Sequence, residues 1–326
     1  MDSCGIGRRT TLNEKRTLTM KKKQLLPGLI ALTLSGTVAA DPEIFGLIHL
    51  VTQYHETTDT VTDESESVVE LESFFSRLGV RGSEKLDNGL EVFYHYELGI
   101  EPNDNVTWTK RNSFLGVKGD FGRLAFGRFD TPFKRSQGKV DIFGDQVGDI
   151  AQVITINDNR LTNMVEYTTP NTLNGLQFKG LVLLREDPEL EDGYGGSASY
   201  TKGDFYVALA LDSDIEEVDT SAVRVSSTYQ IGPVQLGGMY EQYSPQNDAD
   251  DVDAKLVSVK YRVGGKWDLK AQYAMSDVKF EGAKSGSVGA DYHLSPTFKL
   301  TSYLTRNSSD ETPTEKYAGV GGVLKF

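Results

Sequence analysis

Cysteine is almost absent from this sequence. Cys4 is the single example in 326 residues, so no disulfide within the chain and no thiolate metal cluster can be built. Long apolar runs are missing too. The longest, residues 25–34, falls short of the roughly 20 residues a spanning helix needs. After residue 41 there is no helical period of useful length. Positive charge is scarce: 34 Lys and Arg stand against 47 Asp and Glu, a formal charge of −13. That balance argues against nucleic acid, whose phosphates call for basic patches. The histidines are His49, His55, His95 and His293, and none is spaced as a metal pair. "GGKWDLK" and "GYGGSAS" carry glycines but no phosphate-binding or dinucleotide pattern. A Ser-His-Asp set can assemble from distant residues, yet no convincing Ser/His pair stands out. The reading is of a protein that is not an enzyme and needs no cofactor.

What is present begins with an export signal. Lys21, Lys22 and Lys23 form a basic region, residues 25–34 an apolar one, and residues 36–40 (GTVAA) offer small side chains for cleavage after Ala40. Met20 stands directly before the lysines, so residues 1–19 read as an upstream extension and 20–40 as the signal. The mature chain is then 41–326. Removing seven basic and two acidic residues with the leader takes the formal charge from −13 to −18, and Cys4 goes with it.

The mature chain alternates with a period of two in segments of about ten residues. Leu90, Val92, Tyr94, Tyr96 and Leu98 alternate with Glu91, Phe93, His95 and Glu97. Trp267, Leu269, Ala271, Tyr273 and Met275 alternate with Asp268, Lys270, Gln272, Ala274 and Ser276. Seven connections are short. Eight are long and mostly acidic. Fifteen connections imply sixteen strands. An even number of antiparallel strands, tight turns at one end and long loops at the other predict a transmembrane β-barrel. In lipid every backbone group must be paired, so a sheet spans only if it closes on itself. The 15 Phe and 15 Tyr fit interfacial girdles. A soluble sandwich or propeller also alternates, but its inner face would not hold Lys, Glu, Gln and Asp unpaired in a dry core.

Four stretches carry a family resemblance. "FFSRLGVRGSEKLDNGLEVFYHYE" (74–97) resembles the second hairpin of the general diffusion porins of Gram-negative outer membranes. "RNSFLGVKGDFGRLAFGRFDTPF" (111–133) is similar to their fourth and fifth strands leading into the third loop, and "RLTNMVEYTTPNTLNGLQF" (160–178) to the sixth and seventh. "YAGVGGVLKF" at the end matches their final strand, with its terminal aromatic Phe326. The resemblance implies a sixteen-stranded barrel, a homotrimer passing small hydrophilic solutes, and a third loop folded into the lumen with its acids facing wall arginines. It further implies the outer membrane and its lipopolysaccharide as surroundings, and Phe326 as the tag read by the barrel-assembly machinery.

The longest connection, 130–159, is the expected constriction. It carries Asp141, Asp145 and Asp149 at steps of four, a spacing that predicts a helical turn presenting carboxylates on one side, with Ile142 and Phe143 packing the loop on the wall. Arg77, Gly79 and Arg81 share one strand face; lipid would reject each arginine by about 2–4 kcal/mol at mid-depth, so both point inward. Arg111 matches a wall arginine of the family, and Arg123 and Arg160 are further lumen candidates. The resemblance departs on the first strand, where Leu47 and His49 stand in place of a basic residue common in the family. The eyelet is therefore expected to be less basic and mildly cation-preferring. A substrate-selective channel of the same fold and a structural or adhesive barrel are the alternative readings. Acidic loop residues Asp59, Asp63, Glu64 and Glu66, and Asp248, Asp250, Asp251 and Asp253, read either as a divalent-ion surface or as a solvated one, the second being the simpler.

Overall fold

A computed structural model describes residues 42–101, 108–170, 174–247 and 249–326. The export signal, Cys4, the cleavage position and Asp248 lie outside the described residues. Among the described residues, helix is confined to Pro132–Ser136 (α1) and Ile150–Val153 (α2). The rest is one antiparallel sheet of seventeen strands that closes on itself.

Along the chain come β1 (Glu43–Thr58), β2 (Ser65–Ser73), β3 (Arg77–Lys85), β4 (Glu91–Ile100), β5 (Trp108–Gly119) and β6 (Gly122–Asp130). Then follow β7 (Arg160–Thr168), β8 (Leu176–Leu183), β9 (Gly193–Lys202), β10 (Phe205–Ser213), β11 (Ser221–Ile231) and β12 (Val234–Ser244). The last five are β13 (Val252–Val263), β14 (Trp267–Ser276), β15 (Ala283–His293), β16 (Phe298–Ser308) and β17 (Thr314–Lys325). The expected sixteen positions are all filled. The extra strand arises because one position is split: β2 pairs with Leu50–Thr58 of β1, and β3 with Glu43–Leu47.

The split has a local cause. Phe75 takes φ +52°, a conformation a bulky residue adopts only when its surroundings impose it. Ser76 holds the break, its Oγ accepting from His49 N at 3.0 Å, while Phe74 N donates to His49 O at 3.0 Å.

Alternation sorts the two faces as the sequence indicates. On β14, Trp267, Leu269, Tyr273 and Met275 are exposed while Asp268, Lys270, Gln272 and Ser276 are buried. The same holds on β10 and β11, where Leu209, Leu211, Val223 and Val225 are exposed and Asp212, Arg224, Ser226 and Thr228 are buried. In a soluble protein this arrangement would be inside out; in a bilayer the apolar face meets lipid. The short connections form the tight rim. At residues 264–265, Gly264 and Gly265 both take positive φ, +54° and +73°, which glycine alone adopts at no steric cost.

The barrel closes between its first and last strands. β1 and β17 pair from Leu47–Lys325 to Thr58–Thr314. Phe326 N donates to Gly46 O at 3.1 Å and Gly46 N to Phe326 O at 2.8 Å. Its ring lies over Gly46, where a Cβ would come within 2.3 Å of Phe326 Cζ. Beside the seam Tyr317 stacks on His55 with ring centroids 4.3 Å apart.

Candidate functional site

The site is built from residues 131–159 and the buried polar face of the sheet. Thr131 caps α1 by accepting from Lys134 N at 3.1 Å, and Pro132 supplies a preset first turn. After that turn the segment seats itself strand by strand. Tyr206 Oη on β10 donates to Ser136 O at 2.9 Å. Ser258 Oγ on β13 donates to Val140 O at 2.6 Å. Ile142 N donates to Gln272 Oε1 on β14 at 2.9 Å. Gln146 Nε2 donates to Thr301 Oγ1 on β16 at 3.1 Å, and Asn307 Nδ2 to Val147 O at 2.9 Å. Between these bonds apolar side chains fill in: Phe133, Val140, Ile150, Val153 and Ile154 pack with Ala210, Met239, Leu256 and Ala274. Phe143 is buried beneath the Lys270 ammonium, 4.6 Å from the ring centroid.

The strongest anchor is Arg224 on β11, fully buried. Its guanidinium meets Glu241 at 2.6 Å and Asp158 at 2.7 Å and lies 4.4 Å over the Phe133 ring. Glu241 also accepts from Thr155 Oγ1 at 2.6 Å and Asn157 Nδ2 at 2.7 Å. One side chain thus ties both ends of the segment to the sheet. The sequence reading missed this group. The signal was available, because Arg224 alternates with outward Val223 and Val225, and the lipid-rejection argument used for Arg77 applies to it equally.

The three aspartates do not act as a set. The expected helical turn does not form, because Gly138 and Asp145 take φ +58° and +61° and the aspartate side chains bond nearby backbone, which competes with helix. Asp141 Oδ1 accepts from Phe143 N at 2.9 Å and Gln272 Nε2 at 3.0 Å, and Oδ2 from Ile150 N at 3.1 Å. Asp149 caps α2, accepting from Ala151 N at 2.8 Å, and its other oxygen accepts from Asp145 N at 2.8 Å. Enclosure by protein pushes both carboxyls above the ordinary aspartate range, and the Asp141 charge adds to the rise at Asp149. Asp145 alone leaves its carboxylate open, with the side chain 42% exposed, and it meets Arg77 Nη1 at 3.2 Å.

The candidate arginines fall into different settings. Arg81 pairs with Glu43 at 2.6 Å, both half exposed, and lies over the Phe45 ring. Arg111 is buried, paired with Glu97 and 5.6 Å over Phe75. Arg123 lies 4.5 Å over Phe93 and 5.3 Å over Phe114, and meets Glu166 at 3.4 Å. Arg160 pairs with Asp130 at 3.0 Å and donates to Asn112 Oδ1 at 2.9 Å. Only Arg77 meets a candidate aspartate. Among the described residues no three His, Cys, Asp or Glu gather as a metal cluster. Asp59 instead holds its own turn, accepting from Val61 N and Thr62 N at 2.8 Å, and Asp253 pairs with Lys255 at 2.7 Å.

Comparison with known proteins follows the same lines. A family model described as Gram-negative porin matches residues 28–312. The major outer membrane protein P.IB of Neisseria meningitidis serogroup A is 27% identical over 303 residues, covering 89% of this chain and 80% of that one. The outer membrane porin protein 32 of Delftia acidovorans is 25% identical over 297 residues, covering 83% and 84%. Among solved structures, an anion-selective porin from Comamonas acidovorans superposes with a TM-score of 0.72 at 21% identity, covering 88% of this chain and 100% of the other. A Salmonella typhi OmpF in complex with daunomycin does so with a TM-score of 0.71 at 16% identity, covering 88% and 98%.

Proposed function

The chain belongs to the Gram-negative porin family of outer-membrane proteins, and on that premise we propose that it forms a passive, water-filled channel for small hydrophilic solutes and ions, narrowed by residues 131–159. A sixteen-stranded barrel is wide enough to leave an aqueous channel. What supports the narrowing is the line of hydrogen bonds from Ser136, held by Tyr206 of β10, to Val147, held by Asn307 of β16, all to side chains on the face opposite the exposed apolar residues. A segment held along that face lies in the lumen and leaves only part of it open.

Solutes passing the crossing meet Asp145 and Arg77, the one acid–arginine pair of the expected ladder. Such a pair sets a transverse field that orients dipoles and ions. Because Asp141 and Asp149 are bonded to the segment's own backbone, ion preference at the crossing is weak. The acidic long loops add a mild cation preference at the mouth. A competing reading is anion preference, the property by which the Comamonas porin is described. It is favoured by Lys179, which stands near Arg123 and Arg135. Planar-bilayer recording in a salt gradient decides between them by the sign of the reversal potential. Absence of conductance from a well-folded barrel would sink the channel reading altogether.

By family analogy the channel is a homotrimer set among lipopolysaccharide, and Phe326 is the tag read by the barrel-assembly machinery. Triplet conductance steps are expected from a trimer. Deleting Phe326 should lower the yield of assembled protein far more than the conductance of any channel that forms, as band intensity and bilayer recording would show.

A further inference from the structure

The inner wall carries a strip of rings that the passage of ions does not call for. Phe45 on β1, Phe93 and His95 on β4 and Phe114 on β5 are all half-buried. They lie on the inner face, since Ile44, Tyr96 and Leu115, next along the same strands, are exposed on the other side. The rings form one run. Centroids are 5.0 Å apart from Phe45 to His95, 5.1 Å from His95 to Phe114 and 6.2 Å from Phe114 to Phe93. Two glycines make room for its ends. A Cβ on Gly79 would come within 2.3 Å of Phe45 Cζ, and one on Gly116 within 2.2 Å of Phe93 Cζ.

Between those ends is a recess of about 480 Å³, lined among others by Arg81, Phe93, His95, Phe114, Lys118 and Arg123. Arg81 stands at one end, 4.9 Å over Phe45, and Arg123 at the other, 4.5 Å over Phe93. The two arginines differ. Arg81 gives Glu43 two bonds, at 2.9 and 2.6 Å. Arg123 gives Glu166 one long bond, at 3.4 Å, and the other oxygen of Glu166 is taken by Arg135. Lys179, near Arg123 and Arg135, has no ion pair among the described residues. Three cations thus share one carboxylate, and most of the N–H fork of Arg123 is left unused.

An open guanidinium beside an aromatic floor matches a planar ring that carries a carboxylate. The carboxylate would take the Arg123 fork in charge-assisted bonds. The ring would lie against His95 and Phe114 in the offset or edge-on contacts that aromatic pairs prefer. An inorganic anion would leave the rings uncovered. An aromatic cation would gain the rings but meet the uncompensated charge of Arg123 and Lys179.

We propose that this recess is a weak, saturable binding site for small aromatic carboxylates within the lumen. It deepens the channel reading and rests on it. Arg123 is the second residue of β6, beside a tight turn, whereas Arg77 stands at the far end of β3 from its own tight turn. The site therefore lies toward the tight-turn mouth, away from the Asp145–Arg77 crossing, and is compatible with weak ion preference there. Passage requires that such binding be loose enough for release.

The test is titration of the full-length protein with benzoate, with cyclohexanecarboxylate and benzylamine as controls. Open-channel current in planar bilayers and calorimetry in detergent both read it. Benzoate is expected to reduce the current saturably and to bind about threefold or more tighter than cyclohexanecarboxylate, with no saturable effect of benzylamine. Arg123→Gln should weaken benzoate about tenfold. Phe114→Leu keeps apolar bulk, removes the ring and should weaken it about threefold. Each variant is first shown to be folded by its β-sheet circular dichroism, and the ligand comparison on the wild type stands without them. Equal binding of cyclohexanecarboxylate overturns the aromatic class, and saturable binding of benzylamine overturns the anionic one. Equal benzoate affinity in wild type and both variants overturns the site. Conductance with no saturable benzoate signal in either measurement overturns it too and leaves the channel reading intact. Calorimetric binding without conductance sinks the channel reading and leaves this site standing.

Discussion

The inner wall on β10–β16 and the inner wall on β3–β7 are made by the same alternation, yet they do different work. On β10–β16 the polar side chains are consumed. Tyr206, Ser258, Gln272, Thr301 and Asn307 each bond the 131–159 segment, and Arg224 is closed off completely. On β3–β7 Arg111, Glu97 and Glu166 are buried, but Arg81 and its partner Glu43 remain half open and Arg123 partly so, each arginine lying over an aromatic ring with one carboxylate nearby. One wall is a seat and the other is a lining. A charge on the seat has no water to fall back on, so losing its partner is costly. A charge on the lining keeps water as an alternative.

The comparison breaks most easily at Arg224. Arg224→Met keeps the volume and strands Asp158 and Glu241 as buried carboxylates, so about 3–5 kcal/mol should be lost, seen as a lower unfolding midpoint and noisier open-channel current. Arg81→Gln on the lining should cost about 1 kcal/mol or less, because its partner is solvated. Equal losses at the two sites would dissolve the distinction between walls.

The aspartates give the next effect. Asp149→Ala removes the cap of α2 and should loosen the segment by about 1–2 kcal/mol, whereas Asp145→Asn should leave stability unchanged. Current noise at fixed voltage reads the difference.

Acidity sharpens the same contrast. Carboxyls raised in the folded state hold more protons there than when the segment is released, so they favour the seated form at low pH. That contribution is complete below the ordinary aspartate value of 3.8 and falls as pH rises through the raised values of Asp141 and Asp149. Open-channel noise should therefore grow from mildly acidic to alkaline solution, and Asp141→Asn with Asp149→Asn should flatten the trend. Noise that grows toward acid would contradict it.

The smallest effect concerns selectivity. Asp145→Asn should move the reversal potential in a salt gradient toward anions and Arg77→Gln toward cations, while Asp141→Asn alone moves it hardly at all. A large shift from Asp141 would mean that its carboxylate is open after all.

How far these features were legible depends on the range of the interactions. Strands and faces were readable because alternation is a local code: Asp268, Lys270 and Gln272 could not face lipid. The split at Phe75 was not, since its backbone is set by Ser76 reaching His49, 27 residues away. Arg77 was placed by the cost of a charge in lipid, and its partner Asp145 was among the candidates. The fates of Asp141 and Asp149 were hidden because spacing alone does not separate a helical face from a chain of side-chain caps. Arg224 draws its partners from 17 and 66 residues away, a pairing that only the closed sheet creates.

The pairing of Gly46 with Phe326 also constrains how the barrel comes into being. Every hairpin from β3 onward can zip against its sequence neighbour. The last seam joins residues almost a whole chain apart. The entropic penalty for so long a closure is modest, since each doubling of loop length adds about 0.6 kcal/mol, but contacts of such separation form slowly. Until they form, β1 and β17 both present open edges able to pair with the wrong strand. The ring of Phe326 over Gly46 thus sits on the seam of longest sequence separation, where a single residue bears on whether the chain closes into a cylinder or leaves two edges open to aggregation.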